Sequence, residues 1–206
     1  MRNFIKLLFV GAFTILCSAC STSDILKSKV AEPQVYVIKP LEAGVAPVAY
    51  NKQLAIGLPV ATPGLDSARI AVLRDGNHLD YYYGARWGGT AAEVTQAFLV
   101  SLLQTQQGFK SVVAENTRVN ADYLLEIELR DFQAEYLNGN AAPIVKITLI
   151  ASVIDIKARQ SSALLRASAS VAAKDNRLGA VVTAFQSAMQ QASVSLSEQV
   201  SANLGK

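Results

Sequence analysis

Between residues 69 and 87 the apolar and polar positions alternate with a two-residue period that a single turn interrupts. Ile70 and Val72 point one way and Arg69, Ala71 and Leu73 the other, as successive side chains of a strand do. Asp75-Gly76 marks a hairpin, because a type I′ turn needs positive φ and Gly accepts it without steric cost. Past the turn, Leu79, Tyr81 and Tyr83 share one face while His78, Asp80 and Tyr82 share the other. The expected unit is strand, turn, strand, and then a helix once Gly88-Gly89 is passed.

That helix carries a capping box, Thr90-Ala91-Ala92-Glu93, in which hydroxyl and carboxylate satisfy free amides at the helix start. Val94, Phe98 and Leu102 recur every fourth position with Leu99 and Leu103 beside them, and Gly108 supplies the stop, so the helix is expected over 90–107. Strands follow at 110–114, 123–136, 144–156 and 163–173. In 123–136, Leu125, Ile127 and Leu129 alternate with charged residues, after which Phe132, Ala134 and Tyr136 carry the apolar side on even positions. A bulge near Asp131, or a second covered face, accounts for that slip. Asn138-Gly139-Asn140 reads as a turn, and the three long strands as an antiparallel meander with Leu165, Ala167, Ala169 and Val171 inside the last of them.

A closing helix over 177–203 steps its apolar residues by three or four from Leu178 through Phe185, Leu196 and Val200 to Leu204, with Asp175 or Asn176 as its cap. Its other side is rich in Ser, Gln and Ala and poor in charge, which fits packing on a sheet and leaves a mild face for another subunit. Upstream, 35–39 reads as a short edge strand ended by Pro40. Residues 40–52 read as a loop, 54–58 as a buried strand ended by Pro59, and 61–64 as a turn. The pattern as a whole predicts an α/β protein of the α+β kind, a single domain with a largely antiparallel sheet and two main helices packed on it.

Composition narrows what such a domain does. The 206 residues are 51% hydrophobic and 17% charged, ample for one core. Arg2 and Lys6 precede an apolar run at 7–16 that is too short to span a bilayer, the layout of a secretory leader. Ser18-Ala19-Cys20 resembles a bacterial lipobox, in which Cys20 is acylated and becomes the first mature residue; Cys17 stands where Leu is usual. Cleavage before Cys17 would put Leu16 where a small residue is needed, and an ordinary leader with two incidental cysteines is the alternative. Ser21 in place of Asp favours the outer membrane. The expected organisation is a signal peptide at 1–19, a lipidated N-terminus and tether at 20–50, and the globular domain at 51–206.

Removing the leader takes Arg2 and Lys6 from 19 basic residues, leaving 17 against 16 acidic ones. So small a surplus argues against nucleic acid as a partner. No cysteine beyond Cys20 is left for a disulfide, a thiol nucleophile or a thiolate metal site. His78 is the sole histidine, no G-x-S-x-G elbow or P-loop occurs, and Asp75-Gly76-Asn77 lacks the remainder of a calcium loop. The chain is therefore expected to have no catalytic residue, no metal and no cofactor, and to use energy from another subunit. The cluster Tyr81-Tyr82-Tyr83…Trp87 admits two readings that can coexist. Tyr81, Tyr83 and Trp87 pack in the core, or a surface of Arg74, Tyr82, Arg86 and Trp87 meets a partner, where Tyr, Trp and Arg are over-represented.

The ordered set Ile56-Gly57, Pro59, Pro63-Gly64-Leu65-Asp66, Ile70-Ala71-Val72, Arg74, Asn77, Leu79, Tyr81 and Trp87 resembles the ABC-type transport auxiliary lipoproteins. These are the PqiC-like outer-membrane lipoproteins that accompany MCE-type lipid-transport systems, and the likeness runs over roughly 35–204. Gly88-Gly89 follow the Trp where the family often has a small and an acidic residue. The resemblance implies a domain facing the periplasm from a lipid anchor, an MCE protein and an ABC permease and ATPase as partners, and homo-oligomeric rings in at least some members. An assembly lipoprotein that scaffolds an envelope complex without touching cargo is the second reading.

Overall fold

The structure, a computed structural model, describes residues 31–41, 44, 50–117, 120–137, 141–162 and 164–204. The leader, Cys20 and the 138–140 turn lie outside the described residues. Residues 33–206 form one compact unit.

A single long strand, β7 (Tyr123–Tyr136), organises the sheet. Along one edge it receives three strands in succession, all parallel to it: β2 (Tyr50–Ile56), β3 (Val60–Ala61) and β4 (Arg69–Arg74). Its other edge pairs antiparallel with β8 (Ile144–Asp155), which also takes β9 (Gln160–Ser161) and β10 (Leu165–Ala172). Outside β2 lies parallel β6 (Phe109–Ala114); outside β4 lie antiparallel β5 (His78–Trp87) and then parallel β1 (Gln34–Tyr36). The fold is thus an α+β domain on one large mixed sheet, mostly antiparallel, with α1 (Ala91–Gln106) and α2 (Leu178–Leu204) packed on it.

The slip of parity in β7 is a bulge. Leu129 pairs with Leu149 and Asp131 with Thr148, so Arg130 is the extra residue. Inward positions change from odd to even there, and Leu125, Leu129, Phe132 and Ala134 are all buried. Just past it, the Phe132 amide donates to Gln133 Oε1 at 2.7 Å. Polar Gln133 is thereby tolerated at a buried position, its own Nε2 donating to Asp131 and Glu135.

Helix α1 starts as its capping box requires, with Glu93 N–H on Thr90 Oγ1 at 3.2 Å and Thr90 N–H on Glu93 Oε2 at 2.7 Å. Its end departs from expectation. Gln107, not Gly108, takes the left-handed conformation (φ 55°), donating its amide to Gln104 O. At the start of α2, the Arg177 carbonyl accepts the first helical amides, from Ala180 and Val181, while Asp175 accepts the Arg177 amide itself at 2.8 Å. The two helices are joined where Ser197 Oγ donates to Gln106 Oε1 at 2.6 Å.

Two boundaries shift as well. Gln34–Tyr36 sits in the sheet, within the stretch assigned to the tether, because Gln34, Val35 and Tyr36 pair with Ala85, Arg86 and Trp87. Strand β2 begins at Tyr50, where the sequence reads as loop; Tyr50 packs on Phe109 and donates its hydroxyl to Ser201 O at 2.7 Å. Under the helices, Trp87, Phe132 and Phe185 form a triangle with centroids 5.0–5.6 Å apart, and all three are almost fully buried.

Candidate functional site

The β4–β5 hairpin builds the surface on which the sequence concentrates its tyrosines and arginines. Asp75 (φ 52°) and Gly76 (φ 79°) close it with the positive angles a primed turn demands. Ala71 pairs with Tyr81, but the next registered pair is Arg69 with Arg86. One residue of β4, Ile70, therefore faces the four residues 82–85 of β5, and Gly84 (φ 65°) turns the extra chain.

This insertion corrects the expected faces. Tyr83 does not follow Tyr81 into the core; it stands 93% exposed at the crest of the insertion. Trp87 returns to the ladder buried at 0%, so it is unavailable to a partner and leaves the predicted interface. Tyr81 is half-buried and held from three sides. Its hydroxyl donates to Gly64 O at 2.8 Å, its amide to Asp80 Oδ1 at 2.7 Å, and the Arg69 guanidinium stacks 3.5 Å from its ring centroid.

On the helix side of the hairpin, Tyr82, Tyr136 and Asn176 form a chain of polar contacts. The two phenols are 2.8 Å apart, and Tyr136 donates in turn to Asn176 Oδ1. Since Tyr136 has one proton and gives it to Asn176, Tyr82 is the donor to Tyr136. Arg74 lies over the Tyr136 ring at 4.6 Å. Burial, and then the bond and charge of Tyr136, push the Tyr82 phenol far above its ordinary range, against a smaller opposing pull from Arg74. Tyr82 stays a protonated donor.

Arg86 takes its place elsewhere, opposite Arg69 on the ladder. Both line an open cleft of ≈ 510 Å³ with Pro33, Asp80, Tyr82 and Tyr83. Among the described residues, neither arginine has a carboxylate within ion-pair distance. The predicted quartet thus divides: Arg74 and Tyr82 converge, Arg86 sits across from Arg69, and Trp87 is core. Sequence reading passed over Arg69, Tyr136 and Asn176 as site residues. Only strand pairing brings Tyr136 and Asn176 to the hairpin, and Arg69 needed the 82–85 insertion to meet Arg86; Gly84 was the one local sign of it.

A second open cleft of ≈ 440 Å³ lies across β7 and β8, with Leu58, Val60 and Leu164 exposed at its edge and Glu115, Glu126 and Glu128 around it. His78 is exposed beside the turn. Among the described residues no three of His, Cys, Asp and Glu gather as a metal site. What the hairpin surface offers is recognition: cations, phenol donors and stacked rings on a rigid ladder.

Comparison with known proteins gives this surface a setting. The family model described as ABC-type transport auxiliary lipoprotein component matches residues 36–197. Among solved structures, protein XCC0632 from Xanthomonas campestris aligns with a TM-score of 0.74 at 22% identity, covering 84% of this chain and 97% of that one. An uncharacterized protein aligns with a TM-score of 0.64 at 12% identity, covering 82% and 99%. At such identities the two share the fold with this chain and no more. No curated protein matches its sequence.

Proposed function

The chain belongs to the family of ABC-type transport auxiliary lipoprotein components, and from that membership we propose that it serves an MCE-type lipid-transport system by docking to the MCE protein. Its anchor is the acylated Cys20, its membrane the outer one, and its domain faces the periplasm. Energy comes from a separate permease and ATPase. No helix of the described residues is long and apolar enough to cross a membrane, which suits a domain held by lipid alone.

The observation that carries docking over carriage is the filled interior. Trp87, Phe132 and Phe185 occupy the space between helices and sheet, and the two clefts described above are open surface features. Lipid cargo needs a lined, enclosed apolar volume; a docking module needs a stiff surface with aromatic and arginine anchors.

Affinity capture of the full chain from detergent-solubilised envelopes of its native host tests this. The expected result is recovery of an MCE protein and an ABC permease, with impaired lipid transport in a strain lacking the chain. Recovery of envelope proteins without either, and unchanged lipid traffic, would replace the reading with that of a scaffold. Co-elution of stoichiometric lipid with the isolated chain would instead make it a carrier.

A further inference from the structure

We propose that Arg69 and Arg86 together hold a phosphate group in the cleft at the root of the tether. The two cations are registered opposite each other on β4 and β5 and line one cleft, where a shared anion would offset the repulsion of like charges. Neither finds a carboxylate among the described residues. Asp80 also lines the cleft, its Oδ1 accepting the Tyr81 amide, so its single negative charge faces the two cations and leaves the cleft net positive. Arg69 is fixed by stacking on Tyr81, so one guanidinium fork is pre-positioned and less entropy is lost when it binds. A planar fork with several N–H groups matches phosphate oxygens, and two forks can donate to the two unesterified oxygens of a phosphodiester.

The surroundings favour a lipid headgroup as the source. Pro33, the first residue of the compact unit, lines the cleft. From position 20 to Pro33 is roughly a dozen residues, which span at most about 45 Å when fully extended. At its edge stands Tyr83, exposed by 93%. Tyrosines with apolar bodies and polar tips settle at headgroup depth. The inference rests on the family's lipid anchor and not on docking to an MCE protein, so either can fail alone.

The test uses the full chain in neutral-detergent micelles and follows the Nε–Hε NMR signals of Arg69 and Arg86, assigned from R69K and R86K. The probes are inorganic phosphate, micelles doped with phosphatidylglycerol, and acetate. Both signals are expected to move with a phosphate-bearing probe, and R86Q to weaken the response about tenfold or more, as losing a charge-assisted bond implies. R86K, which keeps the charge, retains part of it. Response to doped micelles identifies a lipid headgroup as the source, and response to inorganic phosphate alone identifies free phosphate. Signals indifferent to both probes, or R86Q binding like the parent chain, overturn the proposal. Acetate acting as strongly as phosphate also overturns it, in favour of an acidic peptide.

Discussion

Tyr82 and Tyr136, on strands that are not neighbours, share a hydroxyl-to-hydroxyl hydrogen bond of 2.8 Å whose direction is fixed by Asn176 beyond it. The two phenols are therefore not equivalent. Removing the Tyr82 hydroxyl deletes one bond, whereas removing that of Tyr136 deletes two. We expect Tyr82→Phe to cost about 1 kcal/mol and Tyr136→Phe more, up to about 3 kcal/mol. Urea midpoints at unchanged slope check the order; equal losses would contradict the middle place of Tyr136 in the chain of bonds.

The same burial gives an alkaline signature. The Tyr82 phenol is raised in the folded chain, so its contribution is fully present below the unfolded value of about 10 and is lost as pH climbs beyond it. Stability above pH of about 10 is expected to fall less steeply in Tyr82→Phe than in the parent chain. Denaturant titrations across that range give the comparison.

At the start of α2 the shift runs the other way. The Arg177 side chain first, and its backbone amide second, hold the Asp175 carboxyl down at about 2. The stabilising effect is present above the ordinary carboxylate pKa and disappears as pH falls through about 2. Carboxyl NMR in Arg177→Gln should show Asp175 titrating closer to about 3.9, though still below it, because the amide bond remains.

Trp87 is the chain's single tryptophan and forms one corner of the aromatic triangle. Its emission is expected to be blue-shifted and resistant to iodide quenching. Phe185→Ala, which removes one wall of its site, should cost about 3–5 kcal/mol and shift the emission to the red. An unmoved spectrum would mean that the cavity had collapsed without wetting the indole.

Gly64 has two reasons to be glycine. Its φ is +88°, and a Cβ there would sit 2.5 Å from Leu79 Cδ2. Gly64→Ala should therefore destabilise by at least the left-handed penalty of about 1–2 kcal/mol. Combining it with Leu79→Ala removes the clash and leaves the conformational part, so a double-mutant cycle separates the two.

Features that a strand or helix carries within itself were readable beforehand. β7 shows its limits, and the bulge at Arg130, in the alternation of Leu125 to Tyr136. Thr90 and Glu93 announce the start of α1 for the same reason, since a cap is completed within four residues. The successive docking of β2, β3 and β4 on one edge of β7 was not readable, because no local period encodes which strand a neighbour chooses. Within the site, Arg74 and Tyr82 were singled out from the composition of the hairpin, and strand pairing adds Tyr136, which touches both. Tyr83 was misplaced because a regular two-residue period was carried past Tyr81 into the 82–85 insertion, where the pairing with β4 is interrupted.

The N-terminal side of the domain is joined to the sheet by only three registered positions, Gln34 to Tyr36, backed by buried Ile38 and by the Leu41 amide on Gln190. Tension pulling on the N-terminus loads this seam before any strand that touches the core triangle. If the seam unzips, roughly fifteen residues pay out ahead of Tyr50, extending the leash by about 50 Å while β2 to β10 hold. Such a chain would have two working lengths, the shorter one kept by a three-residue strand at the edge of the sheet.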